Sequence, residues 1–298
     1  MNEYLLSLRN IKDVIFSENE PLGAHSTIKV GGTAKLAAFP QNADAFCSLL
    51  SKLDELGVKH YVVGNGSNVV FPDGEYDGVI VFTKKMNSIV FNGTSVTADC
   101  GVNLIYLSSL CAEKSLSGAE FLCGIPGTVG GAVYMNAGAY GSSMADVVEK
   151  CVCFSRERGV FELDSAALGF GYRTSALKSG GVLLLSATLT LKSGDREKIS
   201  ALMSVLKEKR SNSQPTGAFS AGSVFLPVGD VPAWKYIDAA GLRGASVGGA
   251  RVSEKHAGFI VNDGGATSAD VKALVEKIKR EVRSKTGADL ETEIIFID

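Results

Sequence analysis

The residues best suited to chemistry in this sequence sit in two bends almost without charge. Residues 124–141, GIPGTVGGAVYMNAGAYG, carry glycine at six of eighteen positions and no charged side chain. Glycine is favoured where the backbone takes positive φ or lets another group come close. Main-chain N–H groups in such a bend can surround an anion or the edge of a flat ligand. The composition favours a ligand cradle over its alternative, a tight glycine-rich turn packed inside a β-rich core. The second bend, Gly64-Asn65-Gly66-Ser67-Asn68, follows the apolar run Tyr61-Val62-Val63. A dinucleotide-binding fingerprint needs a third glycine opening a helix. Val69 stands there instead, Val69-Val70-Phe71 reads on as strand, and no P-loop lysine follows. What remains is a strand–turn–strand bend rich in N–H donors. It suits an anion such as a pyrophosphate, with an ordinary hairpin turn as an equal alternative.

Regular elements must position these bends. Leu5, Leu8, Ile11 and Val14 recur every three residues and predict a short N-terminal helix. Phe46, Leu49, Leu50, Leu53 and Leu56 predict a helix over 42–57, with Gly57 at its C-terminal cap. Asn92-Gly93 predicts a hairpin within the strands of 78–99, and residues 103–114 read as a helix. A hairpin turning near Arg158-Gly159 covers 147–162, and an apolar strand covers 182–191. An amphipathic helix over 195–209 marks a domain boundary. The small, polar residues 211–223 would line a cavity, and Pro232 opens a short helix ending at Gly241. A long helix over 268–287, capped by Ser268, precedes a closing strand over 290–297. The order is mixed α+β, without a regular βαβ series.

Composition narrows the function classes. The 298 residues are 45% hydrophobic and 21% charged, with a net charge of −2, an ordinary soluble balance. Nothing in it invites nucleic acid or an anionic membrane. The first residues mix charge too early for a signal peptide, and no apolar run is long enough to span a bilayer. A cytoplasmic protein is expected. The six cysteines have no zinc-type spacing, so they read as buried small hydrophobes and no metal is expected.

HSTIKVGG (25–32), VGNGSN (63–68), the 124–141 stretch, FGYRTS (170–175), AGSVF (221–225), GGARVSEKHAGFIVNDGGATSADV (248–271) and LETEI (290–294) occur in this order. Together they resemble the UDP-N-acetylenolpyruvoylglucosamine reductase family, a series specific only when taken in register. The resemblance implies a vanillyl-alcohol-oxidase-type FAD-binding fold in two subdomains, 1–85 and 86–206. A C-terminal α+β substrate-binding domain would follow over 207–298, its last strand able to return to the first subdomain. It implies non-covalent FAD, NADPH as hydride donor and UDP-N-acetylglucosamine enolpyruvate as substrate, for peptidoglycan precursor synthesis, with no obligate protein partner evident. Flavin-binding positions would be Gly64, Asn65, Gly66, Ser67, Asn68, Gly124, Ile125, Pro126, Gly127, Gly130, Gly131, Ala132, Asn136 and Gly138.

Reducing a double bond conjugated to a carboxylate builds enolate charge, which a catalyst must meet with cations or donors. The resemblance assigns Arg173 to that carboxylate, Ser223 to proton delivery at the α-carbon and Glu293 to the developing enol. Glu291 shares the strand face of Glu293, and only the family register separates them. Tyr172, Arg210, Gln214 and His256 are the candidate substrate contacts. Two departures stand out: Leu226-Pro227-Val228 replaces the family's Lys-Asn-Pro, and Gly258 replaces an asparagine. Only fifty positions separate Arg173 from Ser223, which points to the shorter, second form of the family. The rival readings are another FAD oxidoreductase of the same fold, such as a hydroxy-acid or sugar oxidase, and a flavin-binding protein without turnover.

Overall fold

The computed structural model describes residues 7–298. The described residues divide into two compact units: 7–17, 36–65 and 78–209 form one, and 18–35, 66–77 and 210–298 the other. Residues 7–9 are helical. Of the expected N-terminal helix, Leu5 lies outside the described residues, and Ile11 already stands in the turn that follows. Val14 does not continue that helix, because Asp13 turns the backbone to φ +58 and Val14–Pro21 then runs as a strand.

In the first unit, the helix Ala43–Glu55 is capped by the Asn42 side chain, which accepts from the Ala45 N–H at 2.9 Å. Its apolar face, Phe46, Leu49, Leu50 and Leu53, is fully buried, and Gly57 leaves the helix at φ +62. A five-stranded sheet runs Gly159–Asp164, Val148–Ser155, Leu183–Thr190, Ser95–Asp99, Ile89–Asn92, each neighbour antiparallel. The Asn92-Gly93 and Arg158-Gly159 turns fall where the sequence puts them. The helix predicted over 195–209 extends over Arg196–Ser213. Its Ile199, Met203 and Leu206 pack with Ala112 and Cys123.

In the second unit, an antiparallel sheet runs Phe219–Ser223, Phe259–Asn262, Ala250–Val252, Ser246–Val247. The helix Ser268–Thr286 buries Val271, Leu274, Val275, Ile278 and Val282 in the same core. Its cap is Thr267, not Ser268: Thr267 and Asp270 form a capping box, and Ser268 is already helical. The Asp73 carboxylate accepts the N–H groups of Ser268 and Ala269 at 2.5 and 2.9 Å, where negative charge complements the helix dipole. The closing strand is much shorter than expected. Only Ile295–Phe296 is strand, parallel to Val69–Val70, while residues 291–293 attach by single bonds to residues 224–226.

Candidate active site

The bend at 64–68 is not a hairpin. The strand before it, His60–Val63, pairs in parallel with residues 79–82. The strand after it, Val69–Val70, pairs instead with Ile295–Phe296. The bend's donors are therefore not consumed by a ladder between its own arms. Among the described residues, the N–H groups of Asn65, Gly66 and Ser67 have no acceptor within the chain. Gly66 sits at φ +65, and a side chain there would overlap the His25 carbonyl. Asn65 points its side chain away, donating from Nδ2 to the Pro126 carbonyl at 2.7 Å.

The glycine stretch behaves differently, because most of its N–H groups bond within the chain. Thr128 caps the short helix Val129–Tyr134, and the Gly130 N–H donates to the Cys100 carbonyl at 2.7 Å. A Cβ on Gly130 would stand 3.0 Å from Cys100, so the fold itself requires that glycine. Gly131 is different: it is exposed, and a Cβ there would meet only Thr128 Oγ1 at 3.7 Å. Packing within the chain leaves room for a side chain at Gly131, so its smallness serves an approach from outside. The stretch thus presents a glycine face more than a ring of N–H donors.

A cleft of about 450 Å³ in the first unit is lined by Asn65, Thr128, Lys84, Asn87, Asn103 and Tyr106, with Gly101 and Val102. Lys84, Asn87 and Tyr106 were not legible as site residues, since each lies in an unremarkable segment and only the fold gathers them. The cleft's own lining brings the Asn65 amide, a lysine and the Tyr106 ring together, a set that fits a flat ligand carrying phosphate, as a flavin dinucleotide is.

Arg173 occupies the turn after Gly171, half-buried, at φ +52. Its guanidinium lies 5.0 Å from the centre of the exposed Tyr172 ring, and Nη2 reaches the Gly138 carbonyl at 3.5 Å. In the second unit, Ser223 and Glu293 come together through the backbone. The Glu293 N–H donates to the carbonyl of Val224, next to Ser223, at 2.8 Å. Asn68 Nδ2 donates to the Glu293 carbonyl at 3.0 Å, and the Ile295 N–H donates to the Asn68 carbonyl at 2.9 Å. Thr27 adds a third tie, its Oγ1 donating to the Ser220 carbonyl at 2.7 Å and its N–H to the Gly66 carbonyl at 3.0 Å. Glu293 is half-buried where Glu291 is exposed, so these two glutamates differ in environment as well as in register.

The expected cavity-lining loop over 211–223 is in large part regular structure. Residues 211–213 finish a helix, and Phe219–Ser223 is a strand bulged at Gly222, φ +81. Arg210 and Gln214 are half-buried at that helix end, the Gln214 N–H donating to the Arg210 carbonyl at 2.9 Å. The His256 ring packs edge-on to Trp234 and Phe259, and Nδ1 accepts the Gly258 N–H at 3.1 Å. Burial pushes its pKa down, favouring the neutral ring. A Cβ on Gly258 would stand 3.0 Å from that ring, so the glycine at this departure makes room for His256. At the other departure, Val228 and Val231 exchange backbone bonds around a tight turn.

Comparison with known proteins places the chain in a family. The family model described as "FAD binding domain" matches residues 34–156, and that for the "UDP-N-acetylenolpyruvoylglucosamine reductase, C-terminal domain" matches residues 214–297. The UDP-N-acetylenolpyruvoylglucosamine reductase of Caldicellulosiruptor bescii is 40% identical over 99% of this chain and 94% of its own length. That of Caldanaerobacter subterraneus subsp. tengcongensis is 39% identical over 94% of this chain and 92% of its own. The crystal structure of the Thermus caldophilus reductase superposes with a TM-score of 0.80 at 32% identity, covering 95% of this chain and 99% of that one. The fold is a vanillyl-alcohol-oxidase-type FAD-binding fold with an α+β C-terminal domain, and the chain belongs to the UDP-N-acetylenolpyruvoylglucosamine reductase family.

Proposed function

We propose that this chain is an NADPH-dependent flavoenzyme that reduces the enolpyruvyl double bond of UDP-N-acetylglucosamine enolpyruvate. The product, UDP-N-acetylmuramate, would serve peptidoglycan precursor synthesis in the cytoplasm. No helix among the described residues is long and apolar enough to cross a membrane. The observation that most supports the reading is the single backbone frame holding Ser67-Asn68, Ser223 and Glu293. It joins a donor-rich turn, a hydroxyl and a carboxylate.

In this proposal residues 1–85 and 86–206 hold FAD and residues 207–298 bind the sugar nucleotide. The N–H groups of Asn65, Gly66 and Ser67 would hold the diphosphate of FAD. Asn68 would carry the main-chain link to Glu293, and the Gly124–Gly127 and Gly130–Ala132 segments would lie along the ring system, Gly131 admitting the close approach. When bound, the flavin supplies the hydride that adds to the β-carbon and is recharged by NADPH.

Every other task falls to side chains of the chain. Arg173 grips the substrate carboxylate with charge-assisted hydrogen bonds that strengthen as enolate charge grows. Ser223 Oγ delivers its proton to the α-carbon. A serine hydroxyl has no acidity near neutral pH, so it acts only when well aimed at a strongly basic carbanion. The bulge at Gly222 provides that aim. Glu293 supports the developing enol, while Tyr172, Arg210, Gln214 and neutral His256 contact the sugar nucleotide.

The test is NADPH oxidation by the purified, flavin-loaded protein. Consumption should depend on UDP-N-acetylglucosamine enolpyruvate, and Ser223→Ala should lower kcat by about 10²- to 10⁴-fold with flavin content unchanged. Consumption indifferent to the sugar nucleotide, or peroxide formed from alcohols without NADPH, would refute the assignment.

A further inference from the structure

Arg173 sits in a conformation its residue type disfavours. At φ +52 it lies in the left-handed region, where a non-glycine residue persists only if its surroundings hold it. The turn around it has few bonds of its own. The Gly171 N–H donates to the Thr174 carbonyl at 3.1 Å, and the Thr174 N–H returns to the Gly171 carbonyl at 3.3 Å. Two side chains fasten it to residues 134–136. One is Asn136, whose Nδ2 donates to the Gly171 carbonyl at 2.8 Å. The other belongs to the turn's far end, where Ser175 Oγ donates to the Tyr134 carbonyl at 2.9 Å.

Asn136 is built for this task. It is 8% exposed and itself left-handed at φ +42, a state asparagine tolerates better than most residues. Its Oδ1 accepts the Ala145 N–H at 3.0 Å. One end of the amide thus meets a carbonyl and the other an N–H, and only one orientation satisfies both. The amide is engaged within the chain on both sides. Two residues further on, the Gly138 carbonyl receives Arg173 Nη2. The segment 136–138 therefore meets the turn at the Gly171 carbonyl and the Arg173 head at the Gly138 carbonyl.

We infer that Asn136 is a positioning residue for Arg173, fixing the left-handed turn from which the guanidinium grips the substrate carboxylate, and is not a side-chain ligand of the flavin. The inference rests on the carboxylate role of Arg173 proposed above. Asn136 acts on the enolpyruvyl half of the reaction alone. It contributes nothing to flavin retention or to the reaction with NADPH.

A double-mutant cycle on the full, flavin-loaded chain tests this. Asn136→Gly removes both side-chain bonds while leaving a residue that takes φ +42 without strain. Flavin per chain, Tm, the rate of flavin bleaching by NADPH without the sugar nucleotide, and kcat and KM for UDP-N-acetylglucosamine enolpyruvate are measured. They are compared for Asn136→Gly, Arg173→Ala and the double variant. Flavin content and bleaching should stay at the wild-type level, while kcat/KM falls at least about ten-fold. The double variant should be no slower than Arg173→Ala alone, since a residue acting through Arg173 has nothing left to act on.

Loss of flavin from Asn136→Gly, an unchanged kcat/KM, or additive losses in the double variant would each overturn the inference. If Arg173→Ala itself leaves kcat/KM intact, the proposed role of Arg173 fails and takes the inference with it, an outcome distinct from the other three. If Asn136→Gly does not fold, Asn136→Asp replaces it. That variant keeps the acceptor for Ala145 and sets a carboxylate against the Gly171 carbonyl, so the same selective loss is expected.

Discussion

The two glycine-bearing bends look alike in sequence and do opposite things in the fold. The 64–68 bend keeps the N–H groups of Asn65, Gly66 and Ser67 out of the chain's own bonding, because its flanking strands pair elsewhere. The 124–141 stretch uses most of its N–H groups on carbonyls of the chain, those of Val102 and Cys100 among them, and leaves the face of Gly131 bare. One bend is a set of donors and the other is a surface. Glycine content alone does not separate the two cases, but the destination of each backbone hydrogen bond does.

The most severe way to break this comparison is Gly66→Ala. A Cβ there would overlap the His25 carbonyl oxygen and approach Ser26 Cα to 2.9 Å. Both neighbours are backbone, so neither can move aside, and the left-handed φ adds about 1 kcal/mol. The bend must deform, and with it the aim of its donors. Flavin affinity, read from absorbance after dialysis, should fall at least about ten-fold. Normal flavin retention would mean that these N–H groups do not hold the cofactor.

Gly131→Ala sharpens the same contrast from the other side. The protein alone should be as stable as wild type or slightly more so, by up to about 1 kcal/mol, since alanine suits a helix better and meets nothing closer than 3.7 Å. Flavin affinity should nevertheless drop. Unchanged affinity in a stabilised variant would remove the close approach inferred for this glycine.

The sequence carried some parts of this far and others not at all. Elements whose signal is local were legible. The helix Ser268–Thr286 shows in its periodicity, and the Ile89–Asp99 hairpin shows in Asn92-Gly93. Elements that depend on a distant partner were not. Residues 290–297 look like a full strand, yet the partner Val69–Val70 is only two residues long, so the ladder stops there. Phe219–Ser223 is too rich in small residues to read as strand and owes its conformation to Phe259–Asn262. The site divides in the same way. Arg173, Ser223 and Glu293 are proposed from motif register. Asn136's grip on Gly171, thirty-five residues away, and Thr27's reach to Ser220 exist only once the chain has folded.

Thr27 gives a smaller effect. Thr27→Val keeps the shape and deletes the Oγ1 bond to Ser220 and the long Oγ1 contact to Gly66, while the N–H bond to Gly66 remains. Loss of one part-buried hydrogen bond predicts about 1 kcal/mol of stability, with kcat reduced several-fold and flavin retained. Thr27→Ser should restore both. Flavin loss without a change in kcat would place Thr27 with the donor bend and away from the Ser223 strand.

The smallest expected effect concerns His256 and the glycine beside it. Burial lowers its pKa from the ordinary 6.5, with Arg243 acting in the same direction and Asp238 against it. The folded chain thus resists a proton that the unfolded chain accepts near pH 6.5. The stability this provides is complete above that pH and is lost as pH falls toward the lowered value. His256→Gln keeps an acceptor for the Gly258 N–H but cannot titrate, so its Tm should decline less than wild type between pH 7 and pH 5. Gly258→Ala should shift the ring by a few tenths of an ångström, because the new Cβ would stand 3.0 Å from it. That displacement exposes the ring, so the His256 proton resonances should titrate closer to pH 6.5 than in wild type. An identical titration in the two proteins would show that the space left by Gly258 does not set the environment of His256.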